Sequence, residues 1–117
     1  MNIDRIIFLN WLDIQIGRLL YIDNQYVFQI IENNIGKAKE KFCPIEMIPY
    51  YKGSNSFVIL QELPLIFREF KISVERVDCY RKLGILKDDD EYTKLYKLAT
   101  KSNDVDKNGF WISTYFI

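Results

Sequence analysis

Three short apolar segments, separated by turns of two or three residues, fill the first 31 positions and constrain the fold more than any other feature. Residues 14–16 alternate as Ile-Gln-Ile, and Tyr26 and Phe28 show the same period in the third segment. A period of two is typical of a strand with one buried face. Asp23 and Asn24 tolerate the backbone angles of a tight turn. The pattern predicts an antiparallel meander of three strands, at residues 6–11, 14–22 and 26–31. Within the second strand, Gly17 predicts a β-bulge or a close backbone approach.

The middle of the chain is less regular. Residues 32–42 are polar and predict a loop or a short solvated helix. Residues 44–51 include Pro44 and Pro49. They fit an extended strand at a sheet edge, because each proline removes a backbone donor. Residues 52–56, Lys-Gly-Ser-Asn-Ser, predict a loop tip, and the apolar residues 57–60 predict a further strand.

The rest of the chain predicts helices followed by a last strand. Pro64 marks the entry to a short helix at residues 65–70, and Ser73 can cap another at 74–83. Acidic residues 88–91 stand where the positive end of a final helix dipole is expected. Its apolar stripe comprises Tyr92, Leu95, Tyr96 and Ala99. Residues 110–117 predict the last strand. We therefore expect one α+β domain spanning residues 1–117, with a mostly antiparallel sheet and two to three helices packed on one face.

The charge and residue content exclude several classes of function. Lys and Arg number 16, Asp and Glu number 16, and there is no histidine. A zero net charge argues against a nucleic-acid-binding groove, which normally has a basic excess. Without histidine, histidine-dependent triads and histidine-based zinc sites are excluded. Cys43 and Cys79 lack Cys-x-x-Cys spacing and are expected to be buried reduced thiols, with a single disulfide as the alternative.

No motif for phosphate, metal or covalent chemistry is complete. The five glycines are isolated, so no glycine-rich phosphate loop is present. Residues 104–109, Asp-Val-Asp-Lys-Asn-Gly, resemble the opening of a calcium loop, but Tyr115 stands where the closing acidic ligand is required. A simple turn is the alternative at that position. We expect no catalytic residues, no cofactor and no metal.

Aromatic residues flank the most loop-like stretch of the chain. Tyr50 and Tyr51 precede residues 52–56, and Phe57 follows them. Aromatic side chains beside a flexible tip often supply most of the energy of a protein interface. Core packing is the alternative for each of them. The predicted partner surface is the segment 50–57 together with the segment 62–67, and its candidate contact residues are Tyr50, Tyr51, Lys52, Phe57, Glu62, Leu63, Pro64 and Phe67.

Several short motifs follow one another along the chain. Residues 8–19 contain a strand, a turn and Ile-Gly-Arg-Leu, and residues 23–28 end in Tyr-Val-Phe. Residues 43–49 read Cys-Pro-Ile-Glu-Met-Ile-Pro, and residues 63–67 read Leu-Pro-Leu-Ile-Phe. In this order they resemble the N-terminal subdomain of the HipA family of bacterial toxin kinases. The closing helix and strand of that subdomain correspond to residues 73–84 and 108–113.

The resemblance implies a binding protein rather than an enzyme. Residues 70–73, Phe-Lys-Ile-Ser, replace the family's usual Leu-Pro-Asp/Glu-Gly, and the kinase catalytic core has no counterpart in these 117 residues. The chain therefore most resembles HipS, the small stand-alone antitoxin of HipBST toxin–antitoxin systems. In those systems the subdomain docks on the kinase HipT, beside a DNA-binding HipB.

The leading hypothesis is a non-catalytic, cytoplasmic antitoxin that neutralises a HipT/HipA-like serine/threonine kinase. A HipB-like protein is expected only through that complex, with no direct nucleic-acid contact. No membrane contact is expected either, because the longest apolar runs have four residues and a spanning helix needs about 20. The alternatives are a subdomain supplied in trans to complete or activate a split kinase, a mobile-element regulator that binds a host kinase, and an enzyme of unknown type.

Overall fold

The computed structural model describes residues 5–49, 57–74 and 84–117, which form a sheet with helices against it. The strands are β1 Ile7–Trp11, β2 Ile14–Ile22, β3 Gln25–Ile30, β4 Phe57–Leu60 and β5 Phe110–Ser113. The helices within these ranges are α1 Glu32–Glu40, α2 Leu65–Val74 and α3 Glu91–Lys101. A short 3-10 helix, Ile45–Met47, lies between α1 and β4.

The sheet has the strand order β4-β3-β2-β1-β5, and every neighbouring pair is antiparallel. The predicted three-stranded meander is confirmed, since β1, β2 and β3 are consecutive both in sequence and in space. Asp23 and Asn24 form the second turn with positive φ angles of 51° and 64°. Two such residues in succession match the twist of a tight hairpin, because its central residues need left-handed backbone angles. The predicted α+β class is confirmed.

The main core lies between the sheet and the helices. Ile7, Leu9 and Leu19 are fully buried on the sheet, and the rings of Phe28 on β3 and Phe67 on α2 meet edge-on with centroids 5.8 Å apart. From α3, Leu95 is also fully buried, as the apolar stripe predicts. Burying each side chain of this size contributes about 1.5–3 kcal/mol, so the sheet and the helices stabilise one another.

The residues after β5 cover the side of β1 that points away from the main core. β5 ends at Ser113, so the predicted strand to residue 117 is too long. After Ser113 the chain turns back, and Phe116 lies against Phe8 with ring centroids 4.7 Å apart. The carbonyl of Tyr115 accepts a hydrogen bond from the side chain of Gln15, which holds this segment in place.

Gly17 lies beside a β-bulge, as its position predicts. The register between β1 and β2 shifts at Leu9 and Asn10, directly opposite this glycine. A Cβ atom on Gly17 would lie 2.6 Å from the Gln29 carbonyl oxygen and 2.8 Å from the Phe28 ring. Both separations are too short for any side chain, so only glycine fits.

Two further predictions of local structure are wrong. The expected edge strand at residues 44–51 instead begins with a 3-10 turn, in which the Met47 amide donates to the Pro44 carbonyl. Proline favours the start of a helical turn as readily as an edge strand, because neither needs its missing N–H. The expected break after Phe70 is also absent, because α2 continues through Ser73 to Val74. The predicted cap at Ser73 is therefore inside a helix, and the remainder of the predicted 74–83 helix lies outside the described residues.

Helix α3 is fixed at its start by two carboxylates. The Asp90 side chain accepts a hydrogen bond of 2.7 Å from the Thr93 amide, a standard N-terminal cap. Asp89 accepts a bond of 2.6 Å from Lys97, and Lys97 also donates to the Gly84 carbonyl at 2.9 Å. The acidic run therefore does more than complement the helix dipole, since it ties residues 84–89 to the side of α3.

Candidate partner-binding surface

The predicted surface residues fall into three groups. Tyr50, Tyr51 and Lys52 lie outside the described residues. Phe57 and Glu62 are exposed, with Phe57 52% accessible at the start of β4. Leu63, Pro64 and Phe67 are buried, and Leu63 and Phe67 are 1% and 0% accessible. A partner can therefore contact Phe57 and Glu62 directly. Leu63 and Phe67 are buried instead, and they hold α2 in place.

A groove of about 470 Å³ opens between the 3-10 turn, the end of β4 and the start of α2. Its walls are apolar, and they include Met47, Pro49, Leu60, Pro64, Leu65 and Ile66. Leu65 is 71% accessible, which is unusual for a leucine at the start of a helix that packs on a core. Apolar walls that stay accessible are typical of a surface that binds another molecule.

Among the described residues, two charged side chains line this groove, and both are carboxylates. Glu46 comes from the 3-10 turn and Glu69 from α2, and both are exposed. Glu62, in the loop before α2, is paired instead, since the Arg68 guanidinium lies 2.7 Å from its carboxylate. Arg68 also donates to the Leu63 carbonyl at 2.7 Å, so this arginine stays against the loop. The described lining of the groove therefore carries a local negative charge, in a chain with no net charge.

Strand β4 adds a second apolar element. Phe57 and Ile59 project from the same side of the strand, and they are 52% and 53% accessible. β4 is the last strand on its side of the described sheet and pairs with β3. An edge strand with two exposed large side chains is a site where another chain can add to a sheet. Leu60, the next residue after Ile59, projects to the opposite face of the strand, where it lines the groove.

Of the apolar groove walls, Pro64, Leu65 and Ile66 fall within the predicted segment 62–67, whereas Met47, Pro49 and Leu60 were missed in the sequence. Met47 and Leu60 lie 13 positions apart, and no local pattern shows that they face one cavity. The exposure of Leu65 could have been predicted, because Leu65 stands four residues before Glu69 and so lies on the same, exposed side of α2. An apolar residue one helical turn from an exposed carboxylate lies off the buried stripe.

Two buried tyrosines hold α3 on the sheet. Burial, followed by the neighbouring Glu91 carboxylate, raises the pKa of Tyr26 well above its ordinary value. Its hydroxyl therefore stays protonated and donates to Glu91 at 2.7 Å. Burial likewise raises the pKa of Tyr92, whose hydroxyl donates to the Leu19 carbonyl at 2.9 Å. Both phenols act as fixed hydrogen-bond donors within the fold.

The residues of the calcium-like motif bond one another instead. The Asp106 carboxylate accepts hydrogen bonds from the amides of Asn108 and Phe110, at 2.8 and 2.9 Å. This is the simple turn given above as the alternative. Within residues 5–49, 57–74 and 84–117, no three histidine, cysteine or acidic side chains cluster as metal ligands.

A second concavity, of about 640 Å³, lies between α1, the start of β2 and the last residues of the chain. Three cations and two carboxylates line it, with Lys41 placed 3.8 Å from Asp13. Because this concavity contains both charges, it indicates the chemistry of a ligand less clearly than the apolar groove does. None of the helices described by the structure has the length and apolar character to cross a membrane.

Comparison with known proteins adds no relative. No protein-family model matches the sequence, and no curated protein matches it. The accessible residues of β4 and the groove are therefore the structural features that bear on function.

Proposed function

We propose that this chain is a non-catalytic antitoxin of the HipS type, which binds a HipT/HipA-like serine/threonine kinase and neutralises it. The observation that carries the proposal is a set of accessible apolar side chains at this edge of the described sheet, with Phe57 and Ile59 on one face of β4 and Leu65 at the groove that Leu60 lines from the other face. Phe57 directly follows residues 50–56 in the sequence, the segment in which the residue pattern predicts the partner-binding loop. Large accessible side chains next to a concave apolar site favour a protein partner over a small metabolite.

Neutralisation by such a protein is steric. The chain docks through β4 and the groove, and it blocks access of protein substrate to the kinase cleft. The flanking aromatics supply bulk and buried area, since hot spots of interfaces are enriched in aromatic side chains. No nucleotide chemistry is required of the antitoxin itself.

Growth rescue tests the proposal. A HipT-like kinase is induced in bacteria with and without this chain, and colony formation is counted. We expect expression of the kinase alone to arrest growth and co-expression to restore it. Arrest that persists despite soluble expression of both chains contradicts neutralisation, and deeper arrest favours a subdomain that activates a split kinase.

A further inference from the structure

We infer that the groove receives a bulky apolar side chain of the kinase, flanked in the kinase sequence by lysine or arginine. This inference rests on the proposed function, and it specifies the kind of kinase segment that the groove binds. Its occupant is an exposed segment of the kinase in extended conformation, with the apolar side chain as the anchor.

The size and walls of the groove define the anchor. Its volume of about 470 Å³ lies within the range of about 300–1,000 Å³ that is usual for pockets that hold a ligand. It has room for one aromatic or branched aliphatic side chain and the backbone on either side of it. Met47, Leu60 and Leu65 present only carbon and sulfur at the end of their side chains, so a polar anchor would lose its hydrogen bonds to water on entry.

The charge of the groove defines the residues beside the anchor. Glu46 and Glu69 stand on different segments and so on different walls, and among the described lining residues no cation offsets them. Exposed ion pairs are weak, at about 0–1 kcal/mol each, but they select between partners because like charges repel. Basic residues beside the anchor are therefore favoured and acidic ones are rejected.

The position of the groove defines the conformation of the segment. Leu60 both ends β4 and lines the groove, and β4 is the outermost strand on its side of the described sheet. An extended chain laid along β4 can form main-chain hydrogen bonds with it while one side chain enters the groove. This is the strand-addition mode of peptide recognition, in which pockets read alternate side chains.

Binding of a catalytically inactive HipT-like kinase, measured by calorimetry, tests the charge of the groove. The variant is Glu46→Lys combined with Glu69→Lys, and the control is Glu32→Lys combined with Glu40→Lys, which makes the same change in net charge on the exposed side of α1. We expect the groove double variant to raise Kd at least about tenfold at low salt, with a smaller difference at high salt. The control is expected to stay within about twofold of the parent.

A second pair of variants tests the apolar anchor. Leu65→Ala is expected to raise Kd at least about tenfold, while Leu86→Ala, a change at another exposed leucine away from the groove, leaves it within about twofold. If the parent binds the kinase and both groove variants bind equally well, the inference is wrong and the proposed function stands. An equal loss in both charge variants also overturns it, because net charge alone then explains the effect. If the parent does not bind at all, the proposed function and the inference both fail.

Discussion

The side chain of Asn10 on β1 donates a hydrogen bond of 2.9 Å to the hydroxyl of Ser113 on β5, 103 positions later in the chain. Both residues are fully buried, and Gln15 on β2 donates to Asn10 in turn at 2.9 Å. The Ser113 hydroxyl in turn donates a hydrogen bond of 2.9 Å to the carbonyl of Tyr115. The polar chain links β2, β1 and β5 on the side of the sheet that the last residues cover.

Removal of the Ser113 hydroxyl is expected to destabilise the fold. Ser113→Ala leaves the buried Asn10 amide without its acceptor, at a cost of about 1–3 kcal/mol. The measurement is the midpoint of urea denaturation, with Ser102→Ala as the control because its hydroxyl bond to Asp104 is exposed. Equal stability of the Ser113→Ala and Ser102→Ala proteins would contradict a structural role for the network.

Two glycine-to-alanine substitutions are expected to change stability in opposite directions. Gly17→Ala forces a methyl group against the Gln29 carbonyl and should cost more than about 1 kcal/mol. Gly36→Ala, inside α1 with no heavy atom within 4 Å of the new group, should stabilise by about 0.5–1 kcal/mol, because alanine loses less backbone entropy in a helix. Denaturation of the two variants beside the parent provides the measurement. A gain in stability for Gly17→Ala would show that the bulge does not need glycine.

The Cys43 thiol is expected to react slowly while the protein is folded. Burial, together with the neighbouring Glu46 carboxylate, raises the pKa of Cys43 to about 11. In a Cys79→Ser background, modification by a thiol reagent near pH 8 should be at least about a hundredfold slower in the folded than in the unfolded protein. Because the folded pKa is the higher one, the neutral thiol contributes stability below about pH 8.5, and this is lost as the pH rises toward 11. Equal rates in the two states would contradict this environment.

The pair formed by Asp89 and Lys97 is expected to make stability depend on pH. The hydrogen bond from Lys97, with a further one from the Leu86 amide, holds the pKa of Asp89 below its ordinary value. A lowered pKa stabilises the fold above the pKa of the unfolded chain, near 4, and that contribution is lost as the pH falls through the folded value. Asp89→Asn should therefore lower Tm near neutral pH, and its difference from the parent should shrink as the pH falls through the folded pKa of Asp89. A difference in Tm that stays the same as the pH falls would contradict this account.

Much of this fold is predictable from the sequence because its determinants are local. The alternation of β2, the turn at Asp23 and Asn24 and the apolar stripe of α3 each depend on neighbouring residues. The path after Pro44 and the length of α2 are not predictable in the same way. Proline suits both a strand edge and a helical turn, and Ser73 can cap a helix or continue one. Tertiary packing decides between them.

The candidate site is predictable only in part. Phe57 was singled out because it flanks a loop, and it is accessible. Leu63 and Phe67 belong to the same sequence segment but are buried, Leu63 in the loop before α2 and Phe67 on the side of α2 that packs against Phe28. The groove draws its walls from three segments, and only the folded chain brings Met47 near Leu65.

Loss of either aromatic at the partner surface is expected to weaken kinase binding. Phe57→Ala should cost about 2 kcal/mol or more, and we expect the same of Tyr51→Ala, a residue outside the described ranges. Lys101→Ala is the control, because Lys101 is exposed at the end of α3. Lys97 is unsuitable for that purpose because it anchors residues 84–89. If both aromatic variants stay folded and bind as tightly as Lys101→Ala, the surface lies elsewhere.

The most direct test of the central claim is the rate at which a HipT-like kinase phosphorylates its protein substrate as this chain is titrated in. Binding that covers the cleft predicts a rate that falls in proportion to added chain and approaches zero near equimolar amounts. A rate that stays constant at a large excess of the chain, or that rises with it, would contradict the account.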